Sequence, residues 1–352
     1  MVGADTPHPR RRTARRLAQG LAVLLGAATV VAGVLYYTWY YLNLPTGLRQ
    51  KTEVRIPPGT SARGIGAILE ERGVIRSATA FAVRVSQRGV AHQLQAGTYE
   101  LDGTRPVSGV IDCLLSVPPL VWSVTVPEGL TRHEIAGLLA GRGVVDSARF
   151  VALSEDPEYA RRLGVEAPNL EGYLFPDTYH IDPQATVEAV IEHMVSRFRH
   201  VFSDSLQQRL SEVDLTLHEA VTLASIVECE ARVRDERPIV SGVFQRRLHL
   251  DRKLESCATV AFALGAHKTH LSNEDLLVDS PYNTYRYLGL PPGPISNPGR
   301  ASILATLYPA GTTYLYFVSR GDGTHVFSRT HEEHEQAKRA LRRLQGQQAA
   351  VQ

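Results

Sequence analysis

Residues 54–81, VRIPPGTSARGIGAILEERGVIRSATAF, align without a gap onto residues 124–150, VTVPEGLTRHEIAGLLAGRGVVDSARF, at an offset of 70. Val54/Val124, Pro57/Pro127, Gly59/Gly129, Ile65/Ile135, Leu69/Leu139, Arg72/Arg142, Gly73/Gly143, Val74/Val144 and Ser77/Ser147 coincide, and Phe81 matches Phe150 with a shift of one. Each copy reads as a short strand, a Pro/Gly turn and an amphipathic helix. A glycine then stops the helix, and Ser77 or Ser147 caps a second one. Two copies are too few to stack as a solenoid, so the sequence predicts two homologous small modules. After the first copy, Gln95-Ala96-Gly97-Thr98-Tyr99-Glu100-Leu101 supplies a return strand, which completes a strand–helix–helix–strand unit.

Ahead of the repeat the chain is segregated by charge. Five arginines, Arg10, Arg11, Arg12, Arg15 and Arg16, stand against Asp5, a local charge of +4. The whole chain carries +2, so the remainder sums to −2 and has no nucleic-acid footprint. Leu17 to Tyr41 then contains no charged residue. Roughly twenty apolar residues suffice to cross a bilayer as a helix. The cluster Tyr36, Tyr37, Trp39, Tyr40 and Tyr41 suits the far membrane–water interface, and the preceding arginines predict a cytoplasmic N-terminus. A cleaved signal peptide is the competing reading. The run is too long for one, and no A-x-A site follows it. The expected organisation is therefore a basic cytoplasmic arm over 1–20, a transmembrane helix over 21–43 and a body outside the cytoplasmic membrane.

Cys113, Cys229 and Cys257 are too few for a disulfide framework; Cys229 and Cys257 could pair, or all could be free thiols. No Cys/His cluster suggests zinc. His331 and His334 stand at i and i+3, where a zincin helix needs i and i+4. No metal or cofactor is expected.

The most constrained helix lies further on. Thr216 to Arg237 reads TLHEAVTLASIVECEARVRDER. Thr216 and Glu219 have the capping-box spacing, and the residues that follow are apolar around nearly the whole circumference, as in a buried helix. The apolar run ends on Glu228. A carboxyl there is expected to be desolvated and kept protonated, which suits a general acid. The plainer reading pairs Glu228 with Arg232 and Glu230 with Arg234 as ordinary i,i+4 ion pairs.

Around this helix the sequence places polar, rigid segments. Asn169-Leu170-Glu171-Gly172-Tyr173-Leu174-Phe175-Pro176-Asp177-Thr178-Tyr179 sets aromatic rings beside acids, a combination that suits the apolar faces and hydroxyls of sugars. Helices are expected over 184–200, 204–213 and 237–250. Leu254-Glu255-Ser256-Cys257-Ala258-Thr259-Val260 follows, then Ser280-Pro281-Tyr282-Asn283-Thr284-Tyr285 and Gly289-Leu290-Pro291-Pro292-Gly293-Pro294-Ile295-Ser296-Asn297-Pro298-Gly299. Prolines fix φ, so this reads as a rigid cradle. A hairpin over 314–328 with a Gly-Asp-Gly turn and a polar helix from Thr330 close the chain.

Taken together, LEGYLFPDTY, LASIVECEA, LESCATV, YNTY, GLPPGPISNPG and YLYFV…GTHVFS resemble, in content and order, the YceG-like (MltG) family of endolytic lytic transglycosylases of bacterial cell walls. The first repeat unit, over 52–118, resembles in architecture a LysM-like βααβ glycan-binding module. The resemblance implies an α+β chain: a single N-terminal transmembrane helix, the LysM-like module, and a mixed α/β catalytic domain over 120–340 that includes the second repeat copy at 124–154. It implies one catalytic glutamate, Glu228, which protonates the MurNAc–GlcNAc glycosidic oxygen. The C6 hydroxyl then closes on C1 to leave a 1,6-anhydro end. Glu171, Tyr173, Asp177, Glu255, Thr259, Tyr282, Asn283, Thr284 and Asn297 are the candidate substrate-binding residues. The implied partners are peptidoglycan glycan strands, the lipid bilayer through residues 21–43, and cell-wall synthesis proteins. Two positions depart from the family: Glu255 stands where Gln is usual, and Glu335 where Asn commonly follows the histidine. A second carboxyl at 255 would couple to Glu228 by like-charge repulsion. It also leaves open a two-carboxylate hydrolase using Glu228 and Glu255. A membrane-tethered glycan-binding scaffold without turnover is the alternative from another class.

Overall fold

The structure is a computed structural model that describes residues 9–265 and 271–349. Residues 1–8 of the expected basic arm lie outside the described residues. Helix α1 (Pro9–Leu42) contains a stretch, Gln19–Leu42, of mean hydropathy 1.9 that is long and apolar enough to cross a membrane. Two compact units follow from the chain's own contacts: the residues up to Val121 with Asp182–Gln184, and the remainder.

In the first unit, β1 (Thr52–Ile56) leads through the turn at Gly59 to α2 (Ala62–Glu71) and α3 (Ala78–Arg88), and β2 (Gly97–Leu101) returns antiparallel to β1. Ser61 and Ser77 cap the two helices by accepting from the N–H of Gly64 and Ala80. Helix α4 (Val107–Ser116) covers the unit, and its Val107, Val110, Ile111 and Leu114 join Val54, Leu69 and Phe81 in a closed apolar core.

The second unit opens with the same construction. β3 (Trp122–Thr125), α5 (Arg132–Gly141) and α6 (Ser147–Glu155) repeat β1, α2 and α3. Asp146 rather than Ser147 caps α6, because the aspartate accepts from Arg149 N. The short α7 (Pro157–Arg162) comes next, and β4 (Thr178–Ile181) closes the copy. Val124 pairs with Tyr179 as Val54 pairs with Tyr99, so the strands of both copies share one register. The return strands GTYEL and DTYHI lie 80 residues apart, ten more than the first strands. Helix α8 (Val187–Val201) then corresponds to α4 at the same offset, with Val190, Ile191 and Met194 buried where α4 buries Val110, Ile111 and Leu114. The second copy thus extends well past residue 154, and ten inserted residues separate its halves.

Helix α9 (Asp204–Leu210) leads to α10 (Leu217–Glu230), which begins with the expected reciprocal capping box of Thr216 and Glu219. Ala220 through Val227 are all buried. Helix α11 (Arg237–His249), the short α12 (Cys257–Ala263) and α13 (Arg300–Leu307) pack around it. Leu223, Ile226 and Val227 meet Val240, Phe244 and Ala305 in that layer. β5 (Tyr316–Ser319) and β6 (His325–Ser328) form the terminal hairpin, and α14 (His331–Ala349) ends the described chain. The architecture is mixed α/β, with three separate two-stranded sheets among the described residues.

Candidate active site

Glu228 sits in the last turn of α10 with its side chain 6 % exposed. Its surroundings are polar rather than the apolar pocket expected from the helix. Arg237 Nη2 donates to Oε1 at 2.7 Å, and the backbone N–H of Gly299 donates to Oε2 at 2.9 Å. Gly299 is the N-cap residue of α13, so the carboxylate occupies the positive end of that helix. The pairing with Arg232 is not formed: the ion-pair partner of Glu228 lies nine residues on. Glu230 likewise accepts from Ser256 Oγ at 2.5 Å rather than pairing with Arg234.

A cavity of about 720 Å³ opens next to this position, walled by Gly129, Arg132, Glu134, Glu171, Cys229 and Phe262. Gly129 also touches the acid, since a Cβ on it would lie 3.6 Å from Glu228 Cγ. Its φ of +82° is open only to glycine without strain. On the other side of that turn Glu128 lines a second cavity of about 470 Å³, together with Arg234, Asp235, Arg300 and Tyr308. Glu128 is the carboxyl that sequence reasoning missed. Its Oε2 lies 3.7 Å from the same Arg237 Nη2 that binds Glu228. Burial, followed by the neighbouring Glu228 charge, pushes its carboxyl above the usual range. The signal was available: the turn is Pro57-Pro58-Gly59 in the first repeat copy and Pro127-Glu128-Gly129 in the second.

Glu171 is 4 % exposed. It accepts from Arg132 N on both oxygens (3.1 and 3.2 Å) and from Asn297 Nδ2 at 2.9 Å. Desolvation outweighs these bonds and pushes its carboxyl up to about 7. Tyr282 packs with tilted rings against Phe262, centroids 4.9 Å apart, and Phe262 lines the same cavity. These two candidates stand where a ligand could meet them.

The other candidates bond within the protein. Asn297 has no exposed surface. Its Oδ1 accepts from Leu174 N, and its Nδ2 donates to Leu130 O and Glu171 Oε1, each at 2.9 Å. Asn283, also fully buried, donates to Leu276 O and Val278 O and accepts from Tyr285 N. Thr259 and Thr284 share a hydroxyl–hydroxyl bond of 2.8 Å, and Thr284 also accepts from Ser256 N. Tyr173 is buried and bonds to His218 Nδ1 at 2.9 Å, while His218 Nε2 reaches Pro292 O. Asp177 pairs with Arg197 at 2.5 Å beside β4. Glu255 was expected to share a site with Glu228. Its carboxylate instead binds Arg247 Nη1 at 2.9 Å, and the carboxyl that faces Arg237 together with Glu228 is Glu128. The other departure, Glu335, pairs with Lys338 on α14. The three cysteines are free thiols, and burial pushes that of Cys229 up to about 12. Among the described residues, no group of three His, Cys, Asp or Glu side chains could hold a metal ion.

One acid at a helix end, clamped by a buried arginine and set beside a cavity, is an arrangement that could support acid–base chemistry by a single glutamate. The chain belongs to the YceG-like family, whose model matches residues 54–340. It is 33 % identical over 327 residues to the endolytic murein transglycosylase of Bacillus subtilis strain 168, covering 88 % of this chain and 90 % of that one. The endolytic murein transglycosylase of Streptococcus pneumoniae strain D39 is 28 % identical over 351 residues, covering 90 % of this chain and 63 % of that longer protein. The crystal structure of a YceG-like protein from Listeria monocytogenes superposes with a TM-score of 0.57 at 34 % identity, over 82 % of this chain and 99 % of that one.

Glu171 generates a test. Its folded-state value of about 7 lies above the 4.5 of an unperturbed glutamate. The stability it confers is therefore present below about pH 4.5 and lost as pH rises through about 7. The loss is on the order of 3 kcal/mol. Glu171→Gln, which cannot ionise, is expected to show a flatter dependence of chemical-denaturation stability on pH between about 5 and 8. Parallel curves for variant and wild type would show that Glu171 does not titrate there.

Proposed function

We propose that the chain is a membrane-anchored endolytic lytic transglycosylase that cleaves the MurNAc–GlcNAc bond of peptidoglycan and leaves 1,6-anhydro-MurNAc ends. The observation that carries this reading is Glu228 held by Arg237 and Gly299, next to Gly129 and Cys229, which line the cavity of about 720 Å³. In the reaction Glu228 donates a proton to the glycosidic oxygen as the C1–O bond breaks. The developing positive charge at C1 is shared with the substrate's own acetamido group. The C6 hydroxyl of the same sugar attacks C1, and its proton passes to Glu228, which restores the acid without water. One carboxyl therefore suffices where most glycosidases require two. Each oxygen of Glu228 accepts one of the two bonds from Arg237 and Gly299 and keeps a second lone pair with which it can hold the proton for the sugar.

Glu171 and Tyr282 are the residues proposed to meet sugar hydroxyls and acetamides. Thr259, Asn283, Thr284, Asn297 and Tyr173 hold the walls in which those contacts form, and Asp177 braces β4. The βααβ unit of the first repeat copy acts as a LysM-like glycan-binding module, with α1 holding the protein in the cytoplasmic membrane and its body outside. Trimming nascent strands there would bring it next to cell-wall synthesis proteins. The hydrolase alternative asks Glu255 to serve as a base, and its pairing with Arg247 weighs against that.

Glu228→Gln, isosteric but unable to donate an acidic proton, is expected to lower glycan cleavage by about 10²–10⁴-fold in protein that remains folded, with a lower melting temperature because Arg237 loses its close carboxylate. Retention of more than about a tenth of the wild-type rate would place the acid elsewhere. Glu255→Gln is expected to leave the pH–rate profile where the wild type has it. A loss at every pH would favour the hydrolase, and an alkaline limb displaced downwards would bring Glu255 against Glu228. N-terminal sequencing of the membrane-bound protein is expected to read from the basic arm; a mature form starting after residue 40 would mean that the anchor is cleaved.

A further inference from the structure

Three charged groups meet at the end of α10, and the chemistry proposed for Glu228 uses one of them. Arg237 Nη2 lies 2.7 Å from Glu228 Oε1 and 3.7 Å from Glu128 Oε2, so a single nitrogen faces two carboxyls. The Arg237 side chain is 9 % exposed, and its Nε is buried without a hydrogen-bond partner. Glu128 lies directly over Gly299, where any Cβ would collide with its carboxyl. Gly299 in turn donates its N–H to Glu228. The two acids are thus fixed by one arginine on one side and one glycine on the other.

Their charges do not balance. Within the trio two carboxylates share one guanidinium; Glu228 and Arg237 are enclosed, while Glu128, its side chain 44 % exposed, also faces Arg234 and Arg300. A proton on either carboxyl leaves one carboxylate for the one guanidinium. The other charged groups around Glu128 are Arg234 and Asp235, ahead of α11, and Arg300, at the start of α13. Arg237 and Arg234 favour its charged form, while burial and Glu228 oppose it more strongly, so the balance lies upwards.

We propose that Glu128 is a positioning residue for the acid: it takes the Arg237 guanidinium while Glu228 carries the proton, and shares Arg237 with Glu228 once that proton has been given away. This rests on Glu228 being the acid. The arrangement seen here, with Arg237 closed on Glu228, corresponds to the stage after the proton has reached the glycosidic oxygen and C1–O has broken. When the C6 oxygen bonds C1 and its proton returns to Glu228, Arg237 relaxes towards Glu128. The travel needed is small, as the 2.7 and 3.7 Å separations indicate. No further reactant is involved. Without Glu128 the guanidinium would have Glu228 as its one carboxylate partner in the trio, and the proton needed for donation would be harder to keep.

The test is the pH–rate profile of the full-length, detergent-solubilised protein on purified peptidoglycan, with anhydro ends counted by mass spectrometry and melting temperature measured in parallel. Glu128→Gln is expected to lose about tenfold at about pH 7.5 and less than about threefold at about pH 5.5, its alkaline limb moving down by about one unit. Glu128→Asp, with a carboxyl one methylene shorter, is expected to shift in the same direction by less, and carries the test if the glutamine variant does not fold. An unmoved limb in the folded variants overturns the proposal. So does an equal loss at every pH, which would mean that Glu128 contacts the glycan or only supports the turn. Absence of anhydro ends from the wild type would instead overturn the transglycosylase reading, independently of the variants.

Discussion

The site depends on one fully buried amide. Asn297 ties together three segments far apart in sequence: the Glu128–Leu130 turn, the inserted Glu171–Leu174 segment and the proline-rich loop that ends at Gly299. Its backbone takes part as well, since Gly129 N donates to Asn297 O and Asn297 N donates to Leu130 O. Every side-chain group of Asn297 has a partner inside the protein, where an unmet donor or acceptor costs more than a bond gains at the surface. The knot fixes where Gly299 stands, and so where Glu228 finds its N–H donor and where Glu128 comes to rest.

Much of this was legible in the sequence because the signals were local. The capping box of Thr216 and Glu219, the apolar circumference of α10 and the Gly73/Gly143 stops are rules that act within a turn or two, and each appears as read. The repeat was legible only up to Phe150, because ten inserted residues break the offset; the match of GTYEL to DTYHI lay beyond the break. What could not be read was pairing across the fold. Arg237 and Gly299 reach Glu228 from 9 and 71 residues away, and no periodicity connects them. Nor does sequence distinguish a polar side chain that faces a ligand from one that closes a loop. Thr259, Asn283, Thr284 and Asn297 have the residue types of a binding site and the burial of a core.

The two copies of the module differ where the chemistry lies. They share strand register, helix pairing and the buried positions of the covering helix. They diverge at the turn, where Pro58 corresponds to Glu128, and at the insertion that brings in Glu171. The shared part closes a small core, while of the two divergent positions Glu128 faces Arg237 and Glu171 lines the neighbouring cavity. The duplicated scaffold adds Glu128 and Glu171 to a site whose acid, Arg237 and Gly299 lie on later elements.

Glu228 also serves as the cap of α13, a helix packed against both α10 and α11. A carboxylate there satisfies an otherwise orphan N–H and complements the helix dipole, and a neutral carboxyl does so less well. Under the proposed function, the proton that Glu228 gives and recovers would also weaken and restore this contact at the first turn of a core helix. In an enzyme working along a polymer, each catalytic cycle would carry its own mechanical latch, released when the acid is charged with its proton and reset when the bond has been cut.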